Sequence, residues 1–213
     1  MDLDKLYRTL LNKYGKQHWW PADTDFEVVI GAILTQNTTW QNCEKAIENL
    51  KKHNLISPEK IHNIDLPVLK KLIKSAGFYN QKAQYLKNIS SFITDNLKGN
   101  LQQLSYLSID DARKLLLNIQ GVGFETADTI LLYAIEKPIF VMDAYTKRFI
   151  SRFYKLKFKS YNNLQNFFMN NLEQDVELYK EYHALIVKHS KTYCLKKPLC
   201  NNCFINIYCN KNI

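Results

Sequence analysis

Four of the five cysteines crowd into the last twenty residues, as Cys194, Cys200, Cys203 and Cys209 in the spacing C-x5-C-x2-C-x5-C. Thiols gathered this way bind metal or pair as disulfides. The N-terminal "MDLDKLYRTL" reads as an amphipathic helix of mixed charge rather than a signal peptide, which predicts a cytoplasmic, reducing setting and favours metal. Structural zinc usually takes two close pairs, and only one close pair exists here. A compact four-cysteine loop suits a [4Fe–4S] cluster better, with zinc as the alternative. Lys196 and Lys197 lie in the first gap, on a solvated loop or against phosphates. Cys43 stands alone among apolar residues and reads as core packing.

A second constellation is "QGVGFETA", where Gly121 and Gly123 flank Val122 and Glu125 follows. The glycines permit backbone conformations that a side chain forbids. They also leave N–H groups uncovered at the start of the next helix, where an anion such as phosphate is favoured. The carbonyls of the turn could hold a monovalent cation that bridges to that anion. A plain corner between two helices, with glycines for close packing, is the alternative. Asp143, in "VMDAYTKRF", stands between an apolar segment and a helical pattern. It is placed to cap that helix, worth about 0.5–2 kcal/mol. The helix N-terminus would also keep its carboxylate ionised.

These residues need a scaffold, and the apolar periodicity says helices. "FEVVIGAIL" (Phe26–Leu34), "CEKAIENLKK" (Cys43–Lys52), "LPVLKKLIKSAG" (Leu66–Gly77) and "QKAQYLKNISSFITDNL" (Gln81–Leu97) all carry helical spacing. Gly77 reads as a residue just past a helix end, and Ser108 or Asp110 as the N-cap of the helix before the glycine turn. No alternating pattern is long enough for a sheet, and 6 Gly and 5 Pro in 213 residues are few. The expectation is an all-α chain of about ten helices, with loops at Trp19–Thr24, Lys98–Ser108 and Glu136–Asp143. The length allows one or two domains with a real core. The longest apolar run, Val28–Leu34, is too short to span a membrane. Lys and Arg exceed Asp and Glu by 29 − 20 = 9, so a polyanion such as nucleic acid is a natural partner.

"GVGFETADTILLYA…VMDAYTKRF" resembles the helix-hairpin-helix DNA glycosylases related to endonuclease III. "EVVIGAILTQNTTW" (Glu27–Trp40) is similar to that family's first core helix and following loop, and "GFYNQKA" (Gly77–Ala83) to its glycine-aromatic turn. Asp143 follows Glu125 by 18 residues, the family's spacing from hairpin helix to catalytic aspartate. Two positions depart from the pattern: Gln120 replaces the usual proline, and the first cysteine gap is one residue shorter. The resemblance covers nearly the whole chain. It implies two helical lobes: 25–137, a helical barrel with the helix-hairpin-helix at 110–135, and 1–24 plus 138–213, with a [4Fe–4S] loop at 194–209. Double-stranded DNA containing a damaged base is the implied partner, bound by a monomer.

The resemblance also implies roles. Asp143 would stabilise the cationic sugar that forms as an N-glycosidic bond breaks, and orient or deprotonate water. Bifunctional relatives carry lysine at the position of Glu125, as a Schiff-base nucleophile. A carboxylate cannot form that adduct, so base release without AP lyase activity is expected. Glu125, Trp20, Pro21 and Trp40 resemble the 3-methyladenine branch, where an electron-rich pocket suits an alkylated purine. One of Trp19 and Trp20 could be core while the other faces the base. Gln36 and Asn37 match the wedge that fills the hole left by the flipped base, and Phe78 the wedge on the opposite strand. Gly121, Val122 and Gly123, with Lys82, Lys147, Arg148, Lys196 and Lys197, would meet phosphates. The alternatives are an endonuclease III-like enzyme for oxidised or mismatched bases with AP lyase activity, and a non-catalytic redox-sensing DNA-binding protein.

Overall fold

A computed structural model describes residues 1–211. Eleven α-helices and four short 3-10 turns make up the regular structure, with no strand among the described residues. In chain order the helices are α1 (Leu3–Tyr14), α2 (Asp25–Leu34), α3 (Trp40–Lys52), α4 (Pro58–Asn63), α5 (Leu66–Leu72), α6 (Tyr79–Asn96), α7 (Ile109–Leu117), α8 (Phe124–Tyr133), α9 (Ala144–Tyr154), α10 (Tyr161–Met169) and α11 (Val176–Thr192). They fall into two compact units, 22–137 and 1–21 with 138–213.

The unit 22–137 is built around α2. Every residue of that helix after Asp25 is buried, so apart from Glu27 its sequence reads as an apolar run rather than a stripe. Thr24 caps it through Glu27 N–H, and Lys51 of α3 pairs with Asp23 and Glu27 at 2.7 Å each. The expected helix Leu66–Gly77 ends early. It stops at Leu72, and Lys74–Ala76 forms a 3-10 turn that leads into Gly77 at φ 68°. The expected loop 98–108 contains a 3-10 turn, Leu101–Tyr106, that buries Leu101 and Leu104. Ser108, not Asp110, is the cap of α7.

The other unit joins both ends of the chain. Its core is aromatic: Phe140 packs on Phe168 at 4.1 Å and on Tyr179 at 5.2 Å between ring centres. Tyr182 Oη, fully buried, donates to Leu3 carbonyl at 3.0 Å and so ties α11 to α1. The expected loop Glu136–Asp143 is irregular, yet Ile139–Met142 is buried. Buried irregular backbone needs partners. Gln165 Nε2 donates to Phe140 carbonyl at 2.7 Å, and Met142 N–H donates to Tyr161 Oη at 3.2 Å.

Candidate active site and cysteine loop

In the unit 22–137, the glycine turn joins α7 to α8. Gly121 lies at φ +99°, and a Cβ there would meet Tyr85 Cγ at 2.2 Å. Glycine is required twice over, by conformation and by the α6 ring packed on it. Gly123 is different. Its φ of −94° suits any residue and nothing lies within 4 Å of its missing Cβ, so the start of α8 has no side-chain cap and faces open space. Arg113 of α7 clamps the turn through two contacts of 2.8 Å to Asp128 of α8, and lies over the Phe124 ring at 4.9 Å. A buried pair with this two-point geometry fixes one helix against the other. Glu125 is exposed in the first turn of α8.

Two neighbouring turns display side chains. Asn37 is exposed at φ 53°, a conformation asparagine tolerates. Phe78 is 63% exposed at φ 45°. A left-handed backbone is rare for a bulky residue, and an exposed ring gains no burial in return. The turn is held from below by Lys82, whose ammonium donates to Leu34 and Ala76 carbonyls at 2.9 and 2.8 Å.

In the unit 1–21 with 138–213, Asp143 is the N-cap of α9. Its Oδ1 accepts Thr146 N–H at 2.6 Å, and its Oδ2 lies 3.6 Å from Nε2 of His183 on α11. The second contact is longer than a hydrogen bond. Burial pushes the carboxyl pKa up, but His183 and Thr146 outweigh it and hold the group below its ordinary value. Trp19 stacks on His183 at 5.4 Å and 17°, and on Trp20 at 5.4 Å and 10°. Both tryptophans are half-buried, while Pro21 is exposed.

Cys194, Cys200, Cys203 and Cys209 line one cavity together with Phe149, Phe153 and Ile205. Burial pushes the Cys203 and Cys209 thiols up, and the neighbouring sulfurs add to the shift. Among the described residues, no three His, Cys, Asp or Glu side chains gather tightly enough for a metal ion. The loop is moored to α9: Arg152 donates to Leu195 and Lys196 carbonyls at 2.6 and 3.0 Å. His189 Nε2 lies 3.6 Å from Cys203 Sγ, and its Nδ1 lies 3.0 Å from Tyr14 Oη.

A glycine-bearing turn between two clamped helices and an aspartate capping a third are the features that relatives should share. Residues 30–174 match the HhH-GPD superfamily of base excision DNA repair proteins. A Methanocaldococcus jannaschii protein provisionally named a DNA repair glycosylase, MJ1434, is 52% identical over 208 residues, covering 96% of this chain and 94% of its own length. This chain belongs to the HhH-GPD superfamily. It is a DNA glycosylase of that base excision repair family. Endonuclease III of Sulfolobus acidocaldarius is 31% identical over 86% of this chain and 81% of its own. The crystal structure of H. pylori 3-methyladenine DNA glycosylase (MagIII) bound to 1,N6-ethenoadenine matches with a TM-score of 0.77 and 30% identity, over 90% of this chain and 98% of that one. A trapped endonuclease III–DNA covalent intermediate shares the fold, with a TM-score of 0.81 at 20% identity over 97% and 93% of the two chains.

Several residues expected to meet DNA in this HhH-GPD chain are otherwise engaged. Lys82 is 2% exposed, and burial pulls its pKa down, so it braces α2 rather than a phosphate. Arg148 turns inward, with Nε on Cys194 carbonyl at 2.8 Å and Nη2 on Ser190 carbonyl at 3.4 Å. Gln36 Nε2 bonds Gly121 carbonyl and Thr126 Oγ1 at 3.0 Å each, leaving Asn37 as the displayed residue of that loop. Val122 is 6% exposed, and its N–H donates to Ile119 carbonyl. The carbonyls of Gln120 and Gly121 accept amides of Asn88 and Gln36, which leaves a cation only their second lone pairs. Lys147, Lys196 and Lys197 are exposed, and Trp40 is half-buried at the first turn of α3. Sequence reasoning missed His183, Tyr161 and Gln165; only His183 carries a sequence signal, a polar residue before the apolar run Ala184–Val187 on a helix.

Proposed function

We propose that this glycosylase releases an alkylated purine, such as 3-methyladenine, by attack of water, and leaves the abasic strand intact. The reading is carried by Asp143, a carboxylate kept ionised despite burial, at a helix N-terminus, with both oxygens engaged. As the base departs with the electron pair of the glycosidic bond, positive charge builds on the sugar, and a fixed carboxylate lowers the energy of that state. Water adds its oxygen to the anomeric carbon. Its proton passes to Asp143 or to the departing base. Glu125 offers negative charge to a cationic base and no amine for a Schiff base. Trp20, Pro21 and Trp40 are the proposed pocket, since ring faces attract cationic bases. Asn37 and Phe78 are the proposed wedges, and Gly121, Gly123, Lys147, Lys196 and Lys197 the proposed phosphate contacts, on double-stranded DNA bound by a monomer. MagIII, with 30% identity, supports the alkylpurine reading.

The four cysteines are proposed to hold a [4Fe–4S] cluster. Donors set around a cavity suit a cluster, where each iron takes one thiolate, better than a single zinc with four sulfurs at about 2.3 Å. The cluster would tie Cys194 to Cys209 and so order the loop that Arg152 moors.

Relatives named endonuclease III favour a second reading, a glycosylase for oxidised or mismatched bases that also cleaves the strand. One experiment separates the two. Methylated and oxidised duplexes are incubated with the enzyme, with and without borohydride, and freed bases are identified by chromatography. Release of methylpurines with no covalent protein–DNA adduct supports the first reading; an adduct supports the second.

A further inference from the structure

We propose that His183 is a positioning residue for Asp143, and that Trp19 holds the imidazole in that role. The proposal rests on Asp143 being the catalytic carboxylate, as argued above.

Asp143 is anchored through Oδ1 by Thr146 N–H, from its own helix. One anchor leaves a carboxylate free to rotate about that bond. The second contact, 3.6 Å from Oδ2 to His183 Nε2, comes from α11 and places the imidazole where it limits that rotation. Two anchors on two helices are what a pre-oriented charge requires, because a group that must turn during the reaction loses much of its effect. His183 is in turn constrained. It is 3% exposed, just before the apolar run Ala184–Val187, and its ring lies on Trp19 at 17°. The aromatic face sets the ring plane, and Asp143 lies at its edge. Trp19 also stacks on Trp20, a proposed pocket residue, so the tryptophan beside the base and the imidazole beside the carboxylate share one neighbour.

The charged groups on the packed elements make contacts of their own or face solvent. On α9, Lys147 is exposed, Arg148 binds the Cys194 and Ser190 carbonyls, and Arg152 binds those of Leu195 and Lys196. On α11, Lys180 pairs with Glu177, Glu181 accepts Gln17 N–H, Lys188 is exposed, His189 faces Tyr14 and Cys203, and the exposed Lys191 lies over the Tyr145 ring at 5.5 Å. Lys16 and His18 on the N-terminal arm are exposed, and Tyr161 of α10 accepts Met142 N–H. The carboxyl of Asp143 is held low by His183 and Thr146 against burial, which alone would raise it. Removing His183 therefore moves Asp143 titration to higher pH.

The test uses two variants of the full chain. His183→Phe keeps a ring for Trp19 and lacks the ring nitrogens; His183→Gln keeps a polar side chain and lacks the ring. The Asp143 carboxyl is titrated by NMR with labelled aspartate, its signal assigned by its loss in Asp143→Asn. Single-turnover release of methylpurines from methylated duplex DNA is followed over the same pH range. The carboxyl titration and the acid limb of the rate should both rise by about one pH unit or more in His183→Phe, and by less in His183→Gln. Release at neutral pH should fall roughly ten-fold in His183→Phe, with DNA affinity unchanged. Should the phenylalanine variant not fold, His183→Gln alone decides through the same titration. An unmoved Asp143 titration in a folded variant overturns the proposal while leaving the catalytic reading intact. Full release by Asp143→Asn sinks that reading and this proposal with it.

Discussion

In the proposed mechanism the charges at two residues divide the chemistry. Asp143 would serve the sugar, where charge appears only as the bond breaks. Glu125 would serve the base, where a cationic substrate carries charge from the start. Glu125→Gln should therefore slow release of cationic 3-methyladenine more than of neutral hypoxanthine, because an amide attracts a cation far less than a carboxylate does. The selective part of the loss should be about ten-fold, corresponding to roughly 1–2 kcal/mol of charge interaction at a partly wet site. Rates on matched duplexes carrying each base check this, and equal losses would reduce Glu125 to a helix-start residue. The helix cap at Asp143 and the glycine turn at Gly121 were legible in the sequence because their local grammar, a residue before a helix and a turn between two, is written in neighbouring residues. His183 was not, because its contact to Asp143 spans forty positions and depends on how α11 packs on α9.

At the scale of elements, the hairpin and the cysteine loop are held from outside themselves. Gly121→Ala would drive a methyl group into Tyr85 at 2.2 Å and force a side chain to φ +99°. Overpacking of this kind costs about 1–3 kcal/mol, read as a lower thermal midpoint. Tyr85→Ala in the same chain should recover part of that loss, a non-additivity that marks direct contact. Cys203→Ala should abolish the broad absorbance near 400 nm expected of an iron–sulfur protein, and lower the stability of the unit that contains α9 and α11. Stoichiometric zinc without iron in freshly prepared anaerobic protein would replace the cluster with a single ion. The helices were largely readable from apolar spacing, but two classes of position were not. Lys82 and Arg148 look like phosphate ligands in sequence, since a basic side chain carries no sign of whether it faces water. The structure turns them onto carbonyls, where their donors brace a turn and a loop. Buried irregular stretches such as Ile139–Met142 also escape periodicity, because side chains of α10 rather than neighbouring backbone satisfy them.

For the whole molecule, a formal charge of +9 should make DNA binding fall steeply with salt, as phosphate contacts release counterions. With Lys147, Lys196 and Lys197 as contacts, Lys147→Ala should lower the slope of log affinity against log salt by about one. Lys82→Ala should leave that slope alone and lower stability instead. The all-helical architecture followed from composition and periodicity. The choice of damaged base did not, since the residues proposed to meet it, Trp20, Pro21 and Trp40, stand in separate stretches of sequence. The most direct test of the account is single-turnover release of methylpurines from methylated duplex DNA by the native protein and by Asp143→Asn, with DNA affinity measured alongside. The amide should keep DNA affinity within about two-fold and lose at least about a hundred-fold in release, since it retains the shape of the carboxylate without its charge. Release by Asp143→Asn at the native rate would contradict the account.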